Sequence, residues 1–340
     1  MTDATGSTLE LVARGILAAD ALSWPNAAYR IRLLNPKRLA RMEVLAAFAR
    51  EHATTTPAVP YAHSSPVEIL QPGPGEPSEW FAFAADAFRR CRAESSLSPL
   101  ADAWRRAARS EGSAVRIGTR VALRNIRDGL VAPQSGNDNP HYFDDLPLVR
   151  SVAAAVVFDE AETAIAAARE DAGYTGGRDG VWCAAATASL FFDLLRGRST
   201  DDAVSAALQQ LPAETWSRRL AETALSITAQ AGTPLQRAHL LSAEIGDWIY
   251  SYSSVAPETF AFLIAHASRA DTADDLLLGV LAQPRNAPTL PALAGALASI
   301  LFGTDWMPAG LNLESRYGGV GVRELAGRSV GESLAPNGAP

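Results

Sequence analysis

The 340-residue chain holds only two cysteines, Cys91 and Cys183, and a single lysine, Lys37, among 30 basic residues. Two cysteines exclude a disulfide framework. Cys183 lies in an alanine-rich run, where a thiol packs as a small apolar group. The scarcity of lysine reads as codon bias rather than function. Long hydrophobic runs are missing too. Val181–Phe192 and Leu290–Gly303 stop short of the roughly 18 residues a membrane-spanning helix needs. A basic start followed by an apolar stretch is absent, since Asp3, Glu10 and Arg14 are scattered through the first residues. The chain therefore reads as cytoplasmic, without a secretory signal. Its five histidines (His52, His63, His141, His239 and His266) lack zinc-ligand spacing. No nucleophile elbow or phosphate-loop motif occurs. Tyr317-Gly-Gly-Val-Gly321 has no strand before it, so it reads as a turn rather than a dinucleotide fingerprint. A net charge of -7 argues against a nucleic-acid or anionic-membrane surface.

What remains is helix. At 48% hydrophobic and 20% charged, the chain can build a sizeable core. Apolar residues recur at helical spacing: Leu9, Ile16 and Leu17 in a first helix, Leu39, Val44, Leu45 and Phe48 in a second. Further helices are expected at about 78–92, 99–110, 114–129, 146–170, 178–197, 200–210, 214–230, 235–251, 257–269, 273–282 and 290–302. Ser199 with Asp202 and Thr272 with Asp275 have capping-box spacing. Gly197 and Gly303 stand where helices end. Val67–Leu70, flanked by prolines, is the best strand candidate. No fixed-period repeat is present. The expectation is an all-α, compact orthogonal multi-helix fold in one domain over residues 1–325, with a fraying tail over 326–340. Two long loops, Ala53–Pro77 and Val131–Phe143, are candidates for function.

Asn286-Ala-Pro-Thr289 leads into a small-residue helix ending at Gly303. This stretch resembles the C-terminal signature of the ADP-ribosylglycohydrolase family, where Asp-Ala-Asp-Thr precedes such a helix. Gly15-Ile-Leu-Ala-Ala-Asp20-Ala-Leu-Ser-Trp-Pro25 is similar to the family opening. Gly75-Glu-Pro-Ser-Glu-Trp80 lies where the family has Thr-Asp-Asp-Thr-Glu. Asn137–Asp145 followed by Arg150 resembles its central segment, and Tyr174–Gly180 its turn into an alanine-rich helix. Leu301–Pro308 looks like its close. The resemblance runs from about residue 10 to 312, with order and spacing kept. It implies a family fold and a ligand of the ADP-ribose type.

The family's aspartates and threonine hold magnesium, and the departures fall on those positions. Its first two C-terminal aspartates are Asn286 and Pro288 here, and only Thr289 matches. Its paired aspartates near the start are Glu76 and Pro77, and no glutamate follows Pro25. Two dications about 3.5–4 Å apart repel by about 18 kcal/mol at an effective dielectric near 20. One acid and one amide do not offset that. The expectation is no di-magnesium centre and no metal or other cofactor.

The residues placed around the remaining cleft are Asp20, Glu76, Ser78, Asn139, His141, Asp144, Asp145, Asn286 and Thr289. Glu76, Asp144 and Asp145 are the catalytic candidates. Plainer readings stand beside these: Asp20 as a helix-terminal or salt-bridged acid, Asp144 or Asp145 as the cap before Leu146, Thr289 as a helix cap, His141 as a surface residue. Three functions follow. The first is a family relative without di-magnesium hydrolysis that binds ADP-ribose or a nucleotide-like ligand. The second is a remodelled metal-free enzyme acting on an N-glycosidic or related bond. The third is a scaffold acting through a protein partner, its cleft closed by residues such as Trp24 and Trp80.

Overall fold

A computed structural model describes residues 4–33, 73–110, 112, 115–246, 254–283 and 288–335. Helix α1 spans Ala4–Leu33. Helices α2 (Glu76–Glu94), α3 (Ser98–Arg109) and α4 (Ile117–Arg127) follow, then the single turn α5 (Gln134–Asn137). The middle of the chain forms α6 (Leu146–Val157), α7 (Ala161–Thr175) and α8 (Asp179–Leu195). Next come α9 (Thr200–Leu208), α10 (Trp216–Thr228), α11 (Pro234–Ile245), α12 (Ala256–Ala267) and α13 (Ala273–Leu281). The last long helix is α14 (Thr289–Phe302), and α15 (Val330–Leu334) closes the described chain. Among the described residues there is no strand; isolated bridges join Asp144 to Val255 and Arg316 to Ser329. No described helix is long and apolar enough to cross a membrane.

Local sequence sets the helix starts. Proline occupies the first turn of α2, α3, α6, α11 and α12, where its missing N–H costs nothing and its fixed φ is already helical. Ser199 and Thr272 accept the backbone N–H of Asp202 and Asp275 as their spacing predicts. Gly197 and Gly303 take positive φ at helix ends. On α3, Leu100, Ala103, Trp104, Ala107 and Ala108 turn inward and the arginines outward, a helical stripe readable from spacing alone.

Three expectations need correction. The predicted 146–170 helix is two helices, broken at Phe158, whose ψ is 144°. The apolar period runs on through the break, so the sequence does not show it. The freed carbonyls are taken by distant arginines: Arg92 donates to Val157, and Arg196 to Phe158 and Asp159. Residues 326–335 do not fray. Ser329 and Glu332 form a reciprocal capping box, Val330 and Leu334 are buried, and Arg89 donates to the carbonyls of Ser333 and Leu334. Val131–Phe143 is not wholly loop, because it contains α5. The second predicted helix and the Val67–Leu70 strand lie outside the described residues.

Two packing features position the site. Helices α1 and α14 cross at Gly15 and Gly295, where a Cβ on either would collide with the other's carbonyl oxygen. That close approach holds Asp20 and Thr289 on neighbouring helices. Beneath the site runs an aromatic column. Trp80 stacks on Trp104 at 5.4 Å and Trp104 on Tyr174 at 5.5 Å. The buried Arg150 lies 4.9 Å from the Trp104 ring centroid and donates to Asp171. Asp171 also accepts from the Trp104 indole, so both of its oxygens are used. Both cysteines are buried, and burial pushes Cys91 up to about 11 and Cys183 also upward. Neither is a thiolate at neutral pH.

Candidate functional site

The site forms where the starts of α2, α4, α6 and α14 converge on one side chain, Arg116. Its Nε donates to Glu76 Oε2 at 2.8 Å, its Nη1 to Asp145 Oδ1 at 2.6 Å, and its Nη2 to Thr289 Oγ1 at 2.8 Å. Thr289 in turn donates to Asp145 Oδ1 at 2.7 Å, and Thr259, on the first turn of α12, donates to Asp145 Oδ2 at 2.7 Å. Asp145 is fully buried and its two oxygens carry three hydrogen bonds. Asp144 Oδ1 accepts the Leu146 N–H at 3.0 Å and stands 3.6 Å from Arg116 Nη1. The loop holding both aspartates is pinned where Ala256 N–H meets the Phe143 carbonyl at 2.8 Å.

The electrostatics follow from this crowding. Three carboxylates surround one guanidinium, and the Glu76 and Arg116 side chains keep 13% exposure, Asp144 12%. Burial alone would lower the Arg116 value, but Glu76, Asp145 and Asp144 outweigh it and hold the group charged. Burial raises Asp144; Arg116 pulls it back and Asp145 pushes it up again, leaving it at about 7. His141 is lowered by burial, so its ring is neutral at pH 7.

The other predicted site residues divide sharply. Asp20 Oδ2 accepts from Gly75 N–H at 2.8 Å, Ser78 N–H at 3.3 Å and the Ser78 hydroxyl at 2.6 Å. It caps the N-terminus of α2 from another helix, so the helix-terminal reading describes Asp20 and takes up Ser78 as well. Burial pushes Asp20 up to about 6 against those bonds. Asn139 Nδ2 donates to the carbonyls of Gly118 (2.9 Å) and Thr175 (2.8 Å), and its Oδ1 accepts from the His141 N–H (2.9 Å). Its amide ties loops together. Asp145 holds the N-cap position of α6 without a side-chain bond to its amides, and Asp144, one residue before it, accepts the Leu146 N–H. Thr289 is not a cap: Pro288 holds that position, and the Thr289 hydroxyl belongs to the Arg116 network. Asn286 lies outside the described residues. Glu76, His141 and Asp144 remain as the partly exposed members of the set. Trp80 is buried core.

Sequence reasoning missed Arg116, Thr259 and Glu79. Arg116 carried no motif, being one of several arginines on consecutive helices. Glu79 is fully buried and receives four backbone N–H groups: Gly319 and Val320 at 2.7 and 3.0 Å on Oε1, Gly321 and Val322 at 2.7 and 2.8 Å on Oε2. The Tyr317–Gly321 glycine cluster is irregular chain that bends at Val320 and Gly321, and its amides form an anion nest filled by the chain's own carboxylate. Gly321 presses on Trp80 Nε1 and Glu76 Cγ so closely that a Cβ there would stand 2.7 and 2.9 Å away. The C-terminal segment thus walls the site. Burial raises Glu79, opposed by those four donors.

Magnesium asks for several hard oxygen ligands with room for water. Among the described residues no group of three or more His, Cys, Asp or Glu side chains is arranged to hold a metal ion. The carboxylates that do meet, Glu76, Asp144 and Asp145, face a guanidinium.

A family model for ADP-ribosylglycohydrolase matches residues 9–337. A solved structure described as an ADP-ribosylglycohydrolase-related protein complex has a similar fold. Its TM-score is 0.50 at 20% identity, over 82% of this chain and 87% of that one. No curated protein matches the sequence.

Proposed function

The chain belongs to the ADP-ribosylglycohydrolase family, and on that premise we propose that it keeps a cleft for an ADP-ribose-like ligand while performing no di-magnesium hydrolysis. The observation that carries this reading is the Arg116 guanidinium, hydrogen-bonded at once to Glu76, Asp145 and Thr289. Glu76 and Thr289 occupy positions matched to the family's magnesium motifs. A tethered cation at their junction supplies the positive charge the remaining acids need. A dication entering about 4 Å from that guanidinium would be repelled by about 8 kcal/mol at an effective dielectric near 20. The donor set does not fit two magnesium ions. Glu76, His141 and Asp144 are the groups left to meet a ligand.

Calorimetric titration with ADP-ribose, in magnesium and then in EDTA, tests this. Equal binding in both is the expected result. Binding or hydrolysis that appears only with magnesium would sink the proposal, and no binding in either would favour a scaffold.

One observation supports the remodelled-enzyme reading. Asp144 Oδ2 has no partner among the described residues, and its carboxyl sits at about 7, where a proton can be given and taken back. A protonated Asp144 would donate to the leaving group of an N-glycosidic bond, with Arg116 stabilising the carboxylate left behind. Hydrolysis in EDTA, abolished in D144N and falling as pH rises through 7, is the signature. Its absence leaves the binding reading alone.

A further inference from the structure

Glu76 and Glu79 share the first turn of α2, and their carboxylates go different ways. Glu76 accepts from Arg116 with both oxygens: the guanidinium Nε at 2.8 Å on Oε2 and the backbone N–H at 3.4 Å on Oε1. Glu79 accepts from the amides of Gly319, Val320, Gly321 and Val322. Those amides form the tip of a loop closed at its base. There the Tyr317 N–H meets the Arg328 carbonyl at 3.0 Å, and the Gly327 N–H meets the Tyr317 carbonyl at 2.9 Å.

The tip is wedged between the two chain segments that carry the Glu76–Arg116 pair. On one side lies α2: a Cβ on Gly321 would stand 2.7 Å from Trp80 Nε1 and 2.9 Å from Glu76 Cγ. On the other lies Gly112, on the approach to Arg116 and α4. A Cβ there would collide with the carbonyl oxygens of Val320 and Gly321. Anchoring a loop explains why a buried Glu79 needs donors. It does not explain why the anchored tip is packed against both Glu76 and the segment leading to Arg116. Contacts this close leave neither side room to shift.

We infer that Glu79 is a positioning residue of the candidate site. Through the Gly319–Val322 tip it fixes Glu76 against Arg116 without touching the ligand itself. The inference rests on the ligand reading of that site given above, in which Glu76 is one of the groups that meet the guest. Once the nest is lost, the tip withdraws and the Glu76–Arg116 pair opens to water, where such a pair holds its geometry weakly. Misplacing a binding group by about 1 Å can cost about a hundredfold. Asp20 still caps the amides of the same turn from α1, so the backbone of α2 keeps its place.

The test is calorimetric titration of ADP-ribose into the full chain as wild type, E79Q, G321A and R89Q, at a temperature where each is folded. R89Q is the control. It frees the Ser333 and Leu334 carbonyls at the end of the same C-terminal segment and leaves the nest alone. E79Q and G321A should weaken binding by about tenfold, and R89Q should bind as wild type does. Should E79Q not fold, G321A carries the same comparison. Equal binding in wild type and E79Q, or an equal loss in R89Q, overturns the inference. A second measurement needs no ligand. Chemical denaturation of G321A, R116Q and the double variant closes a cycle in which G321A alters no charge. The unfolding constants should depart from simple multiplication by at least about threefold; constants that multiply overturn the inference. Failure of ADP-ribose to bind wild type would sink the function proposed above, and the cycle alone would then decide this one.

Discussion

The arginine–carboxylate clusters around Arg150 and Arg116 differ in what is left over. Around Arg150 the carboxylate is saturated: Asp171 takes Arg150 on one oxygen and Trp104 on the other, and the guanidinium lies over Trp80 and Trp104. Around Arg116 three carboxylates compete for one cation, and Asp144 keeps a free oxygen at the surface. The first cluster saturates its carboxylate, leaves Arg150 Nη1 without a hydrogen-bond partner against the indole rings, and fixes the core. The second carries surplus negative charge and an accessible acid, which is what a site needs. A buried ion pair alone says little about function; the unsatisfied remainder does.

The sharpest way to break the comparison is R150A. It leaves Asp171 buried and unpaired, and chemical denaturation should show a loss of about 3–5 kcal/mol. If the loss is no larger than for R116Q, the division into core and site is wrong. R116Q should cost less, about 2–3 kcal/mol, because Glu76 and Asp144 reach water and the buried Asp145 keeps the Thr259 and Thr289 hydroxyls. It should also change ligand preference. Magnesium should raise the melting temperature of R116Q and leave wild type unmoved, since the three carboxylates then lack their cation. Next comes E79Q. An amide accepts two of the four nest N–H groups and opposes the other two, for a loss of about 1–3 kcal/mol. Hydrogen exchange should quicken at Gly319–Val322 first.

A smaller effect is the pH dependence. Asp20, at about 6, and Asp144, at about 7, both sit above their ordinary value. The folded state therefore holds protons that the unfolded chain releases near pH 4. Their contribution to stability is full below that pH and declines as pH rises towards 7, by at most about 1.4 kcal/mol per pH unit for each group. D144N should flatten the upper part of that slope and D20N the lower part; an unchanged slope refutes the placement of both acids. Smallest of all, D102A should shift stability by under about 0.5 kcal/mol, because its pair with Arg105 is exposed on both sides.

Much of the fold was legible because its signals are local. Helical spacing, first-turn prolines and Ser or Thr caps gave most helices to within a few residues. The α6–α7 break was not, because the arginines that receive its carbonyls, Arg92 and Arg196, stand tens of residues away. The site was half legible. Glu76, Asp144, Asp145 and Thr289 were singled out and do meet. Arg116, which joins them, has no local signature, and neither does the Glu79 nest, whose partners are separated by some 240 residues.

The sequence by itself determined that this chain is an all-helical member of its family, because helical spacing and the order of motifs are read directly from the chain. Only the tertiary structure decided which of its polar residues meet. Asp20 and Ser78 went to capping α2, Asn139 to tying loops, Glu79 to the C-terminal nest, and Arg116 to the centre. Each assignment depends on which buried donor meets which acceptor, and a buried polar group must find its partner wherever the fold brings one.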